Sequence, residues 1–344
     1  MRSILAVELA YWQQTLLRSV GVLAAVLLPA GTLVYVFLFK MVSFMQSRLG
    51  PMEAGPHGSM QLFAEVGKFL QKEDIVPDRA DARLFKMAPY LVVGTVLLVY
   101  IAIPFGPDAY FANFDGGIFY ALAVSSISVI GVLIAGWASA NKYALIGGLR
   151  AAGQLIAYEL PLVLAVVGVV IQAGTLNLQG IVGAQANGEI FGFGGLGNPF
   201  FLTQIIGFAV FLIASQAELT QTPFDMPVAE SELVTGYITE YTGLRFLLFF
   251  IGEFAAAGAL SALAATLFLG GWTLPGLDSD ANYMNVVGPL VMLSKIMLIS
   301  GVIFWVRFTY PRFREDQLQR FAWKFLIPIS LVNILITMVL KVAF

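Results

Sequence analysis

Apolar residues run along this chain of 344 residues in long blocks rather than in alternation. Eight blocks stand out, near residues 18–39, 86–104, 117–138, 155–172, 200–216, 244–269, 286–306 and 324–343. A helix needs roughly 20 such residues to cross a bilayer, so each block is long enough to span or nearly so. The alternating pattern of about ten residues that marks an outer-membrane barrel is absent. The chain is therefore predicted to be all-α: a polytopic transmembrane helix bundle of eight spans, forming a single integral-membrane domain over residues 1–344. The third span is the weakest, because Ser125, Ser126 and Ser128 interrupt it.

The long first loop, residues 40–86, has a different period. From Ser59 to Lys72, apolar Leu62, Phe63, Val66, Phe69 and Leu70 fall on one side of a helix, and Gln61, Glu65, Lys68 and Lys72 on the other. This pattern predicts an amphipathic interfacial helix over 59–72, angled by the Gly50-Pro51 and Gly55-Pro56 turns before it. Two readings fit: a helix packed on the bundle, or one wall of a lateral opening for a lipid-soluble ligand.

Composition agrees with the spans, at 59% hydrophobic and 12% charged residues against about 25% charged in a soluble domain. The net charge of −2 gives no signature, and no nucleic-acid partner is expected. Lys and Arg concentrate in loop 1 (Lys40, Arg48, Lys68, Lys72, Arg79, Arg83, Lys86), loop 3 (Lys142, Arg150) and loop 7 (Arg307, Arg312, Arg314, Arg320, Lys324), while loops 2, 4 and 6 have none. The odd-numbered loops are thus expected on the cytoplasmic side and both termini outside. The first residues contain Glu8 and lead into a full-length span, so no cleaved signal is expected. With no cysteine and one histidine, His57, ligated iron–sulfur clusters, haem and zinc are not expected in this chain, so any electron transfer belongs to partners.

Ionisable residues within spans are costly and therefore functional candidates: Glu159, Glu253 and Lys295. Glu159 precedes Pro161, which frees a backbone carbonyl at depth. A purely structural Glu253–Lys295 ion pair is the bland alternative for those two. The densest acidity lies in the fifth loop, residues 217–243. From Ser215 to Tyr241 the chain has Glu218, Asp225, Glu230, Glu232 and Glu240 with no Lys or Arg. Carboxylates crowded near low dielectric repel one another and lose hydration, the conditions under which protons are exchanged. Thr222 to Pro227 must turn tightly, and interleaved Leu219, Phe224, Met226, Val228 and Leu233 indicate a largely buried loop. A solvated acidic loop that binds a basic partner is the other reading. Gly192, Gly194 and Gly197 match G-x-G-x-x-G, but with no strand before them and no βαβ unit the match is discarded as a nucleotide site.

The runs Ala217-Glu218, Thr222-Pro223-Phe224-Asp225, Glu230-Ser231-Glu232-Leu233-Val234 and Thr239-Glu240-Tyr241-Thr242-Gly243-Leu244-Arg245-Phe246 resemble the H-subunit family of respiratory complex I. So do Met45-Gln46, Arg48, Gly50-Pro51 and Phe63-Ala64-Glu65 in loop 1. Gly136-Trp137-Ala138-Ser139, Lys142 to Ala151 and Tyr158-Glu159 continue the likeness through loop 3, and Tyr310-Pro311-Arg312-Phe313-Arg314 through loop 7. The resemblance implies a multi-pass subunit of a bacterial inner (plasma) membrane NADH-quinone oxidoreductase, lying between a peripheral arm with flavin and iron–sulfur clusters and a proton-pumping membrane arm. Quinone, as ubiquinone or menaquinone, is implied as substrate, entering near the first and sixth spans and the amphipathic helix, with Gln46, Arg48, Phe224 and Arg245 on or near its cavity. Glu159, Glu218, Asp225, Glu230, Glu232, Glu240 and Glu253 match the acidic chain toward adjacent membrane-arm subunits, and Arg307, Arg312 and Arg314 a basic loop that helps dock the peripheral arm.

The chain departs from the family pattern where Leu38-Phe39 replace an acid and a base, and where Gln221 and Val228 replace a base and an acid. Each exchange leaves the charge balance unchanged, as expected if the missing groups form ion pairs in relatives. Two other functions are alternatives. An equivalent subunit of a membrane hydrogenase or ferredoxin-dependent complex shares the family core. A freestanding proton-coupled transporter would show an inverted repeat or matched broken helices, which the sequence lacks.

Overall fold

The computed structural model describes residues 11–188, 197–274 and 283–343, and every regular element among them is helical. In chain order the α-helices are α1 (Tyr11–Leu33), α2 (Val42–Met45), α3 (Gln61–Gln71), α4 (Ala82–Ala102), α5 (Gly117–Ala138), α6 (Lys142–Ala173) and α7 (Leu178–Ala186). They continue with α8 (Phe200–Thr203), α9 (Ile205–Glu218), α10 (Glu230–Leu233), α11 (Gly243–Phe268), α12 (Met284–Thr309), α13 (Glu315–Phe321) and α14 (Ile327–Ala343). Among the described residues seven continuous helical segments are long and apolar enough to cross a membrane, and the shorter apolar α9 occupies the place of the fifth span. The eight-block reading thus holds, with changed boundaries. The first rod runs from α1 through π-helical Val34–Met41 into α2. α6 begins at Lys142, well before the apolar block at 155, so the glycine- and alanine-rich run preceding that block is helical too. α8 and α9 are separated by a break at Gln204.

Local chemistry explains the helix ends. The Asp81 carboxylate accepts the backbone N–H groups of Arg83 and Leu84 and caps α4, while Asn141 caps α6 through the N–H of Tyr143. Serines are tolerated inside α5 because their hydroxyls are spent locally, as where Ser125 donates to the Leu122 carbonyl at 2.8 Å. α5 and α6 cross closely where a side chain on Gly136 would meet the Ala144 carbonyl at 2.7 Å and the Gly148 Cα at 3.0 Å.

Lys295 does not pair with Glu253. Its ammonium donates to the carbonyls of Leu269, Gly271 and Thr273 at 2.6, 2.7 and 2.6 Å, closing the C-terminal end of α11. A cation there satisfies orphan carbonyls and opposes the helix dipole, a nearer and richer partner than a carboxylate on the next helix. Lys341 does the same for α6, donating to the Ile171 and Gln172 carbonyls.

The amphipathic helix of loop 1 is α3, two residues shorter at its start than the pattern predicts. Leu62, Val66 and Phe69 turn toward the bundle, where Phe69 stacks on Phe246 of α11 at 5.4 Å, while Phe63 and Leu70 stay exposed. The chain around it is tied down by Tyr35 donating to the His57 carbonyl and Lys40 to the Pro51 carbonyl. Of the discarded glycine motif, Gly192 and Gly194 lie outside the described residues.

Candidate functional site

The acidic loop folds back against α6. Gln154, fully buried on α6, donates to the Ala217 carbonyl at 2.8 Å and the Phe224 carbonyl at 2.7 Å, so one amide joins the end of α9 to the turn after it. A cis peptide bond joins Thr222 and Pro223 in that turn, and Phe224 packs edge-on to Tyr158 with ring centroids 5.2 Å apart. Behind it, Gly147 lies against the Gly236-Tyr237 backbone: a side chain on Gly147 would meet the Tyr237 nitrogen at 2.7 Å. These contacts hold the loop's acids at fixed places on the bundle.

Glu218 and Glu253 line one cavity of about 100 Å³ among α4, α5, α6, α9 and α11, together with Thr95, Ser125, Ser128, Thr220 and Tyr237. Such a volume accommodates a small group of waters among polar walls. The Thr95 and Ser125 hydroxyl protons are committed to the carbonyls of Val92 and Leu122, leaving acceptor oxygens for the cavity. One Glu218 oxygen, Oε2, is buried without a hydrogen-bond partner. Glu159, on α6, is within electrostatic range of Glu218 and accepts the Ser126 hydroxyl. Glu253 accepts the Gln221 amide and faces Arg307 at 3.4 Å. Burial, reinforced by the Glu253 charge, pushes the Tyr237 phenol up, so it remains a neutral donor at the cavity wall.

The other acids sit nearer the surface, and two basic residues, Arg312 and Arg150, turn toward them. Arg312 holds Asp225 through two bonds, at 2.6 and 2.9 Å. That hydrogen bonding raises the Arg312 pKa. Arg150 meets Glu232 at 2.6 Å and Glu315 at 3.6 Å. Glu240 accepts the Asn141 amide at 2.6 Å, and Glu230 is exposed. The segment without Lys or Arg is therefore supplied with counter-charges from α6, through Arg150, and from the chain after α12, through Arg312. Arg314, by contrast, stays 82% exposed beside Asp316.

The residues assigned to the quinone side fall in separate places. Arg48 donates to the exposed Gln46 at 2.8 Å, just past the end of the first rod. Arg245, at the start of α11, pairs with Asp74 at 3.0 Å and lies over the Phe85 ring, with Nη1 buried and unpartnered. Phe224 is buried between Tyr158 and Phe313.

The sequence family described as NADH dehydrogenase matches residues 17–338. The H subunit of the NADH-quinone oxidoreductase of Brevibacillus brevis is 46% identical over 325 residues, covering 92% of each chain. Its counterparts in Anoxybacillus flavithermus and Bacillus thuringiensis, of the same name, are each 44% identical over 307 residues, 89% of this chain and 87% of theirs. The chain belongs to the family of NADH-quinone oxidoreductase H subunits.

In this H-subunit family member, the site residues to which sequence reasoning assigned no part in the acidic cluster are uncharged: Ser126, noted only as interrupting a span, Gln154, Gln221, noted only as a departure from the family pattern, and Tyr237. A signal for two of them existed, since Gln154 and Ser126 are polar residues inside apolar stretches. Tyr237 lies among many loop residues with nothing to single it out. Among the described residues no cluster of three or more His, Cys, Asp or Glu has the arrangement of a metal site.

Proposed function

We propose that the chain is a membrane subunit of a proton-translocating NADH-quinone oxidoreductase, inactive alone, that forms part of the quinone cavity and couples quinone reduction to proton movement. Flavin and iron–sulfur clusters reside in partner subunits of the peripheral arm, and the loop end of the bundle faces the cytoplasm. The observation that carries this reading is the shared cavity of Glu218 and Glu253, with Glu159 in electrostatic range. Carboxylates that sense one another titrate as a linked set, so a charge change at one end is felt along it. Asp225, Glu230, Glu232 and Glu240 continue the set toward the surface.

On the quinone side, Gln46, Arg48 and Arg245 offer donors to a quinone carbonyl, and α3 with its exposed Phe63 and Leu70 provides an apolar approach from the bilayer. Phe224 contributes by packing, since it is buried. Reduction of a quinone to a quinol takes up electrons and protons, and the electrons arrive from the partners.

The test uses the assembled complex in membrane vesicles. Glu159→Gln and Asp225→Asn are each expected to lower proton uptake linked to quinone reduction. Unchanged quinone reduction and proton uptake in both variants would refute the carboxylate chain. Co-purification with partners that carry flavin and iron–sulfur clusters is expected; a nickel–iron centre in their place would overturn the assignment of electron donor.

A further inference from the structure

Gln221 is 2% exposed, in the turn after α9, and its side chain is half satisfied. Nε2 donates to Glu253 and, at 3.4 Å, to the Leu219 carbonyl, whereas Oε1 is buried with no partner. A buried amide oxygen left unpaired is unfavourable, and native structures keep few of them. Here it belongs to the same amide that holds a carboxylate of the proposed proton chain.

The chemistry of an amide makes that pairing informative. A carboxylate only accepts hydrogen bonds; a carboxylic acid also donates one. An arginine, which the resemblance places at this position, only donates, so it matches the ionised form alone. A glutamine has both kinds of atom at one end, and a half-turn of the amide exchanges them. With Nε2 toward Glu253 it matches the carboxylate; with Oε1 toward Glu253 it accepts the proton of the acid. We propose that Gln221 is a positioning residue that follows the protonation of Glu253, turning its amide so that each form of the carboxyl keeps a hydrogen-bonded partner. The inference rests on the proton-chain reading above and adds a residue that has no charge of its own.

The titratable and charged groups around Glu253 come from four elements. Arg307 approaches from α12 at 3.4 Å, Glu218 shares the cavity from α9, Tyr237 reaches it from the loop before α11, and Glu253 itself is on α11. Of these, Arg307 can only donate. Gln221, also in hydrogen-bond contact, can receive the proton's bond once Glu253 is neutral.

The experiment compares wild type with Gln221→Met and Gln221→Arg in the assembled complex. Methionine matches the length of glutamine without an N–H or a good acceptor; arginine keeps donors and removes the acceptor. Infrared difference spectra on quinone reduction follow the carboxyl C=O band that is lost in Glu253→Gln, alongside the pH profile of proton uptake. In Gln221→Met the band is expected to move to higher frequency, as a carboxyl does when its hydrogen bond is removed, and the pH profile to shift. In Gln221→Arg the band is expected to disappear and proton uptake to fall severalfold. If only one variant assembles, its result decides. A band and a pH profile identical to wild type in every variant that assembles would overturn the proposal, as would failure of both to assemble, which would assign Gln221 a packing role. If Glu253→Gln itself changes neither proton uptake nor the spectra, the proton-chain reading fails as well. If Glu253→Gln matters and the Gln221 variants do not, only the amide proposal fails.

Discussion

Arg312 grips both oxygens of Asp225, with Nε on Oδ1 at 2.6 Å and Nη2 on Oδ2 at 2.9 Å, across 87 residues of sequence. Phe313 adds a backbone bond to the Pro223 carbonyl at 3.0 Å, so loop 7 closes over the turn of loop 5. Both charged side chains are less than one-third exposed, which places their bond between surface and core behaviour. Arg312→Ala should destabilise the subunit by about 1–3 kcal/mol. Arg312→Lys should recover little of that, because an ammonium cannot hold both oxygens in a fork. A double-mutant cycle with Asp225→Asn, read by thermal inactivation of the complex, should give a coupling energy above about 0.5 kcal/mol. Additive losses would mean that the two loops are held together elsewhere.

The acids of the set differ in setting, so their neutral variants should differ in consequence. Glu218 and Glu253 line the cavity, whereas the Glu232 side chain is 54% exposed and shared between Arg150 and solvent. Glu218→Gln is expected to lower proton uptake at least about 10-fold, within the range by which a positioned proton-transfer group contributes. Glu232→Gln should lower it far less and cost stability only about 0.2–1 kcal/mol, a loss that shrinks further as salt is added. Proton uptake by vesicles at two ionic strengths separates these cases. Equal loss in both variants would place the rate-controlling acid at the surface.

The number of spans and the amphipathic helix were legible because hydropathy and period are local properties. The start of α6 was not, since Lys142 to Gln154 is rich in small residues whose burial depends on neighbours: Gly147 on the Tyr237 backbone, Gln154 on two loop carbonyls. The acids of loop 5 were visible from composition, but their counter-charges were not, because Arg150 and Arg312 reach Glu232 and Asp225 over 82 and 87 positions. Lys295 shows the same limit from the other side. As a charged residue in a span it read as a functional or ion-pairing group, and only the fold reveals three backbone carbonyls around it.

Val228 lies in the short 3-10 turn Met226–Val228, half-buried, with its Cα 3.3 Å from where a side chain on Gly236 would begin. An acid there would join Asp225 and Glu230 in a region whose nearest arginines are already engaged. Val228→Glu should therefore impair assembly, and the paired change Val228→Glu with Gln221→Arg should impair it less, because each new charge supplies the other with a partner. The amount of complex on native gels is the measurement. Equal assembly of the single and double variants would remove the idea that relatives pair these two positions.

Gly147 separates α6 from loop 5 by the space of a hydrogen atom. A Cβ there would stand 2.7 Å from the Tyr237 nitrogen and 2.8 Å from the Gly236 Cα, and backbone cannot yield as a flexible side chain does. Gly147→Ala is expected to cost about 1–3 kcal/mol and to displace Tyr237 from the cavity wall, lowering proton uptake along with stability. Gly183, where a Cβ would meet nothing within 4 Å, is the control: Gly183→Ala on α7 should be neutral or slightly stabilising. Thermal midpoints of the two purified variants decide it, and a neutral Gly147→Ala would show that the loop moves freely on α6.

Lys295 completes the end of α11. Its three short bonds satisfy the carbonyls of Leu269, Gly271 and Thr273 at and just beyond the helix end. Lys295→Met keeps the length and apolar stem of the side chain and removes only the ammonium. The variant should lose about 2–4 kcal/mol, since charged hydrogen bonds are worth more than neutral ones and three acceptors are released together. The loss should appear as a lower midpoint for unfolding in detergent. Glu253→Gln should leave that increment unchanged, because Glu253 bonds Gln221 and Arg307 rather than Lys295. A Lys295→Met effect that vanished in the Glu253→Gln background would instead mean that the two residues act as a pair, against the arrangement of carbonyls around the ammonium.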